Sequence, residues 1–309
     1  MARALAISAI VAVFLAAPFA APSYYVGLLT KMLIYALFAM SLDLMIGYAG
    51  LASLGHAAFF GLGGYTMALL LMRAHASAWI AFPAGLVAAT LGGAVFALLA
   101  LRARGSYFLM ITLALAQVVW GIAFGWRTLT GGDDGLPGVK RPVFFISFAD
   151  QTPFYYLVAT LVGLSALAMW AVTRSPYGLA LRGIRDSETR MRAMGFNVWR
   201  HQFAAMAISA FFAGLAGCLF VYNNRFVSPD ALHVVTSAEG LIMVIAGGAG
   251  TLFGPALGAG VIIFLEDFIS SHTQRWLLVL GVIYVATTLF APRGIVGLWT
   301  DFSTRKRKP

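Results

Sequence analysis

The chain has 309 residues, 61% of them hydrophobic and only 10% charged, with a mean hydropathy of +0.87. A soluble domain carries roughly a quarter charged residues, so the polar surface is too small for a water-soluble particle, and the same poverty of charge excludes a disordered chain. The formal charge of +10 fits the basic loops of a membrane protein better than nucleic-acid binding, and a lone Cys218 excludes an intrachain disulfide.

A helix needs about 20 mainly apolar residues to cross the hydrocarbon core. In chain order the candidate spans are 4–21, 25–45, 51–72, 79–101, 107–124, 154–172 and 203–221, with a last one at 276–291. The first run follows Arg3 and ends in Ala17-Pro18-Phe19-Ala20, which resembles a signal peptide. It lacks a clean small-x-small site and is read as a span. Between 237 and 269 the apolar run is interrupted by Gly247, Gly248, Gly250, Gly254 and Pro255. That stretch holds either two short spans or one span and a re-entrant segment. The expected fold class is an all-α, polytopic transmembrane bundle of about ten spans, including broken or re-entrant segments, in a single domain over 1–309.

Orientation follows from the basic residues. Arg3, Arg102, Arg104, the six arginines from Arg174 to Arg200, Arg293 and the basic tail 305–308 fall on one side by loop parity. Arg73, Arg127, Lys140, Arg141, Arg225 and Arg275 fall on the other. The richer side is expected to be cytoplasmic, with both termini inside.

Two loops exceed the minimal length. The external one, 128–153, contains Gly131-Gly132-Asp133-Asp134-Gly135, whose residue types suit tight turns with positive φ. The internal one, 174–202, has Leu179, Leu181, Ile184 and Met191 on a partly apolar helical face. Asp186 or Ser187 is placed to cap a short helix ending at Gly195. This predicts an amphipathic helix on the cytoplasmic surface, its arginines facing lipid phosphates or a partner protein.

Catalytic signatures are absent. The chain has no phosphate-binding Gly-x-x-x-x-Gly-Lys-Ser/Thr string, no Gly-x-Ser-x-Gly and no His-Glu-x-x-His, and its five histidines never recur at metal-ligand spacing. Any ATP site must therefore lie on another chain. The remaining information is in polar residues at membrane depth, where a mid-bilayer charge costs ~2.5–3.5 kcal/mol on insertion scales. Asp43, His56, Gln117 and Glu239 stand there, with Tyr48 and Ser53 in the glycine-rich stretch between the first two. Asp43 and His56 either meet at one mouth of a pathway or hydrogen-bond broken helix ends. Lys31 is expected to snorkel to the outer interface, and Glu266 and Asp267 to reach solvent or headgroups near a span end. Most glycines, such as Gly92, Gly93, Gly214 and Gly217, are expected to let helices approach closely. Around 47–64 and 247–258, packing and a substrate route are equally open readings.

Several strings carry a family resemblance. The run from Ser41-Leu42-Asp43-Leu44 through Gly47-Tyr48-Ala49-Gly50 to Leu54-Gly55-His56-Ala57 resembles the opening motif of LivM-type branched-chain amino-acid ABC permeases, a family that includes urea and amide importers. The resemblance continues in Thr130-Gly131-Gly132-Asp133-Asp134-Gly135, Arg182-Gly183-Ile184-Arg185-Asp186, Ala193-Met194-Gly195 and Gly247-Gly248-Ala249-Gly250-Thr251. These strings keep family order from about Leu28 to Gly297.

The resemblance implies a translocation subunit of an importer in the bacterial inner membrane, not an enzyme. It implies a sister permease, two cytoplasmic ATPases carrying ATP and magnesium, and a periplasmic solute-binding protein, with no cofactor on this chain. The segment 182–195 resembles the family's ATPase-coupling helix, which assigns Arg182, Arg185, Asp186, Glu188, Met191, Met194 and Gly195 to coupling. Arg190 and Met191 stand where relatives commonly carry small residues. Asp43, Tyr48, Ser53, His56, Gln117 and Glu239 become translocation-pathway candidates, and Asp133 and Asp134 lie near a docking surface for the binding protein. The competing reading is a channel or secondary transporter without ATPases, which has no need of the 174–202 segment. Among family solutes, branched-chain or other amino acids are the expected cargo.

Overall fold

Residues 34–45 are buried without interruption, as expected of a segment that is apolar on every side of its helix. They close helix α1, Ser23–Asp43, in the computed structural model, which describes residues 22–142 and 148–275, Pro18 and scattered positions from 278 to 294. At Leu44–Tyr48 the winding widens into a π turn, with the Leu51 N–H donating to Met45 O at 2.9 Å. The chain then turns back, and α2, His56–Met72, begins inside the core.

The second central helix is α9, Val198–Asn224, which packs on α1, α2 and α3, Ala78–Ala100. Small residues make this possible. A Cβ on Gly63 would meet the Gly214 backbone at 2.8 Å, and one on Gly64 would meet Gly217 O at 3.1 Å. Lipid supplies no hydrophobic drive between helices, so close backbone approach carries the packing.

Around this centre stand α4, Ser106–Gly125, and α6, Gln151–Arg174, with α10, Val234–Gly247, and α11, Phe253–Ser270, packed as a pair. Their outward faces expose Met110, Val118, Leu164, Leu167, Leu257 and Phe264. Apolar residues on the outer face suit a lipid solvent. A short helix α5, Arg127–Thr130, and a strand pair tie down the loop after α4. Strand β1, Leu136–Pro137, runs antiparallel to β2, Phe226–Val227, just beyond α9.

Among the described residues, six helices are long and apolar enough to cross a membrane, and α2 and α10 are shorter apolar helices. The span expected at 4–21 lies outside the described residues except for Pro18, and most of 276–291 does too. The ambiguous 237–269 stretch resolves into α10 and α11, separated by a loop at 248–252. The amphipathic segment also differs from expectation. It forms two helices, α7, Pro176–Asp186, and α8, Glu188–Ala193, because Ser187 is extended at φ −163°.

Candidate functional site: the 176–195 segment clasped to two broken helices

Helix α7 starts on a strong local signal. Pro176 occupies its first position and the Ser175 hydroxyl accepts from the Gly178 N–H at 3.4 Å. Ser187 then caps α8 by accepting from the Arg190 N–H at 3.4 Å. The end of α8 closes on Gly195 at φ +87°, where Gly195 N–H donates to Arg192 O at 3.0 Å and Phe196 N–H to Met191 O at 3.1 Å. That bond pair is a Schellman closure, which calls for a left-handed residue and explains the glycine. Of the two caps the sequence offers, Asp186 and Ser187, the structure uses Ser187, and the stop at Gly195 is as expected.

Ala180, Ile184, Met191 and Val198 bury one small core between α7, α8 and the start of α9. Leu181 is buried as well, whereas Leu179, expected on the same face, is exposed. Met191 folds over Gly183, where an added Cβ would meet its sulfur at 2.8 Å. Tyr177 anchors the other side, its hydroxyl donating to His201 O at 2.8 Å and its ring stacking on that imidazole. Burial raises the Tyr177 hydroxyl above the ordinary tyrosine range. Glu188 takes Arg192 at 3.0 Å and reaches Arg104, in the loop before α4, at 3.3 Å. Asp186 pairs with Arg185 at 3.2 Å. Met194, with Leu179, Phe196 and Trp199, is exposed.

The inner face of α7 meets the membrane helices at their breaks. Arg185 Nη1 donates to Gly47 O, in the π turn of α1, at 2.5 Å. Its side chain covers Gly50, where a Cβ would lie 2.8 Å from Cγ. The Arg182 guanidinium sits 4.8 Å from the centre of the buried Tyr48 ring. Asp43 is fully buried, and its Oδ1 and Oδ2 accept from the N–H groups of Gly250 and Leu252 at 2.7 and 3.1 Å. The π turn of α1, the 248–252 loop and α7 therefore converge on one joint.

The other candidates are placed apart. His56 is fully buried and shares a 2.8 Å hydrogen bond with Ser41 Oγ, so it and Asp43 take different partners. Its Nδ1 has no partner among the described residues. Ser53 Oγ accepts from Gly55 N–H at 3.1 Å, holding the turn before α2. Gln117 is half-buried on α4, and Glu239 is half-buried on α10 without an ion pair among the described residues. Lys31 pairs with Glu266 at 3.3 Å. Asp267 likewise accepts from Tyr24 Oη at 2.6 Å.

At the opposite end, Asp133 and Asp134 are exposed in a 3₁₀ turn whose flanking Gly131 and Gly135 have positive φ. The residue that sequence reasoning missed here is Arg141. It donates to Tyr222 O, Ala149 O, Asp150 O and Gln151 Oε1 at 2.8–3.3 Å and lies 4.3 Å from the Phe154 ring centre. Burial, reinforced by Arg225, holds its guanidinium below the ordinary arginine range, against the opposing charge of Asp150. No local pattern marks that clasp, since one partner, Tyr222, lies 81 residues away.

Apolar helices running up and down around buried α1 and α9 make this a multi-pass helical membrane protein. Residues 24–288 match the family model described as branched-chain amino acid transport system / permease component, and the chain belongs to that family. It is 30% identical to the high-affinity branched-chain amino acid transport system permease protein LivM of Salmonella typhimurium, over 93% of this chain and 73% of that protein. It is also 30% identical to the Escherichia coli protein of the same description, over 90% of this chain and 71% of that one. A probable branched-chain amino acid transport permease protein LivM of Methanocaldococcus jannaschii is 22% identical over 62% of this chain and 60% of its own. Members of this family are transport subunits rather than enzymes.

Proposed function

We propose that this chain is the membrane-spanning subunit of an ATP-driven importer that moves branched-chain or other small amino acids into the cytoplasm. It works with a sister permease, two cytoplasmic ATPases that hold ATP and magnesium, and a solute-binding protein. It resides in the bacterial inner membrane with about ten spans and both termini cytoplasmic. The α7–α8 end is then the cytoplasmic end, and the 128–153 segment faces the periplasm.

The observation that carries this reading is the form of the α7–α8 segment. Its inner face is fastened by Arg185 and Arg182 to the π turn, while Leu179, Met194 and Phe196, with Trp199 at the start of α9, stay exposed beside arginines. Exposed apolar residues with a polar rim mark an interaction surface. A channel has no use for such a piece. An ATPase seated there moves α7 as a unit, and α7 moves the π turn of α1. Because Asp43 fastens the 248–252 loop to the same turn, α10 and α11 follow. Access then alternates between the two faces, and each partner shifts that equilibrium only by its differential affinity for the two states.

The test is purification of the chain from its native membranes in gentle detergent, with co-purifying proteins identified by mass spectrometry. A sister permease and ATPases are expected, and Met194→Glu should lose the ATPases while retaining the sister. Recovery of the chain alone, with solute flux that ignores ATP, would establish the channel instead.

A further inference from the structure

Between α1, α2, α9 and the segment after β2 lies a cavity of about 250 Å³. Its wall is an aromatic triad in which the Tyr35, Phe60 and Phe220 rings stand 5.2–6.2 Å apart, centre to centre. Its rim carries Asn224, Ser228 and Asp230, at the end of the molecule opposite α7. The triad and rim residues come from four separate segments of the chain.

Three features give the cavity a chemistry. Asp230 makes no ion pair among the described residues, and its Oδ2 accepts only from the Ser228 hydroxyl at 3.2 Å. Tyr35 lines the cavity, and its hydroxyl makes no hydrogen bond among the described residues, which leaves it free to serve a guest. The volume is below the roughly 300–1,000 Å³ typical of drug-sized ligand sites, which limits the occupant to a very small molecule. A single carboxylate is too few ligands for a hard metal ion.

We infer that this cavity is a binding site for one zwitterionic amino acid with an aliphatic side chain, held on the way into the membrane. The ammonium pairs with Asp230 at the rim and gains from the electron-rich ring faces beside it. The aliphatic side chain packs on Phe60 and Phe220. The Tyr35 hydroxyl and the Asn224 amide donate to the carboxylate. A guest without the ammonium leaves Asp230 unpaired, and one without the apolar side chain leaves the triad unfilled.

The site rests on the importer reading for its place in transport, and one experiment separates the two. The full chain, assembled with its native partners in proteoliposomes, is irradiated with photo-leucine, and labelled peptides are mapped by mass spectrometry. ATP-dependent leucine uptake is measured on the same preparation. Labelling is expected on the peptides bearing Tyr35, Phe60 or Phe220, suppressed by excess leucine and reduced at least tenfold in Asp230→Asn. Tyr35→Phe removes only the hydroxyl and should reduce labelling severalfold. Labelling elsewhere, or labelling that Asp230→Asn leaves unchanged, overturns the site even if uptake is normal. Labelling at the triad without any ATP-dependent uptake upholds the site and overturns the importer.

Discussion

Asp43 reaches 207 residues along the chain to Gly250, its Oδ1 accepting the Gly250 N–H at 2.7 Å. The approach is tight because both sides of the contact are glycine, and a Cβ on Gly47 would strike the Gly250 backbone. Gly250 itself takes φ +81°, a conformation that costs other residues. Arg185 closes the joint from outside the bundle through Gly47 O. One acidic and one basic side chain thus hold three backbone segments together.

Removing the acceptor should show in stability. Asp43→Ala leaves the half-buried Gly250 N–H and the buried Leu252 N–H without their partner, the buried one alone costing about 1–3 kcal/mol. Thermal unfolding of the purified chain in detergent should shift down clearly, with Asp43→Asn falling between the two. A midpoint equal to the parent's would mean the joint contributes nothing.

Arg185 should govern transmission rather than folding. Its guanidinium is partly exposed, so Arg185→Ala is expected to leave the protein folded while lowering transport per ATP hydrolysed at least tenfold. Arg185→Lys keeps the charge but loses the planar fork, and should recover part of the ratio. Equal uptake per ATP in the alanine variant would disprove transmission through this contact.

Gly195 is a conformational rather than a steric requirement, since nothing lies within 4 Å of where a Cβ would stand. Its φ of +87° makes Gly195→Ala cost about 1–2 kcal/mol of left-handed strain. Frayed α8 ends should bind the ATPases less well, and co-purification measures that directly. Gly195→Asn, which tolerates this conformation better, should retain more ATPase than Gly195→Ala. The reverse order would contradict the assignment.

Arg141 should hold the 128–153 segment against the ends of α6 and α9. In Arg141→Ala five interactions vanish together, including hydrogen bonds from a charged group worth about 1.5–3 kcal/mol. Limited proteolysis with proteinase K should cut that segment markedly faster. Unchanged cleavage would show that the strand pair β1–β2 suffices.

Asp186 or Ser187 as a cap and Gly195 as a stop mark α8 in the sequence alone, because capping chemistry acts within one turn. That the stretch before Ser187 forms a helix of its own, α7, is not legible there, since apolar spacing by itself continues across Ser187. The interrupted 237–269 run leaves its two readings open for a similar reason. Glycine and proline mark a break but do not say whether the chain after it recrosses. Asp43 and His56 are recognisable as unusual for their depth, yet their partners, Gly250, Leu252 and Ser41, are not.

Hydropathy and capping are sums over near neighbours, so the sequence by itself determined a polytopic helical membrane protein, most of its spans and the amphipathic segment that interrupts them. Family strings in their order added the permease. Only the tertiary structure decided that Arg185 clasps Gly47, that Asp43 holds the 248–252 loop, and that Tyr35, Phe60 and Phe220 share one cavity wall with Asp230 at its rim. Those contacts join segments far apart in the chain. Their geometry is set by how closely glycine-lined helices pack, which no local pattern encodes.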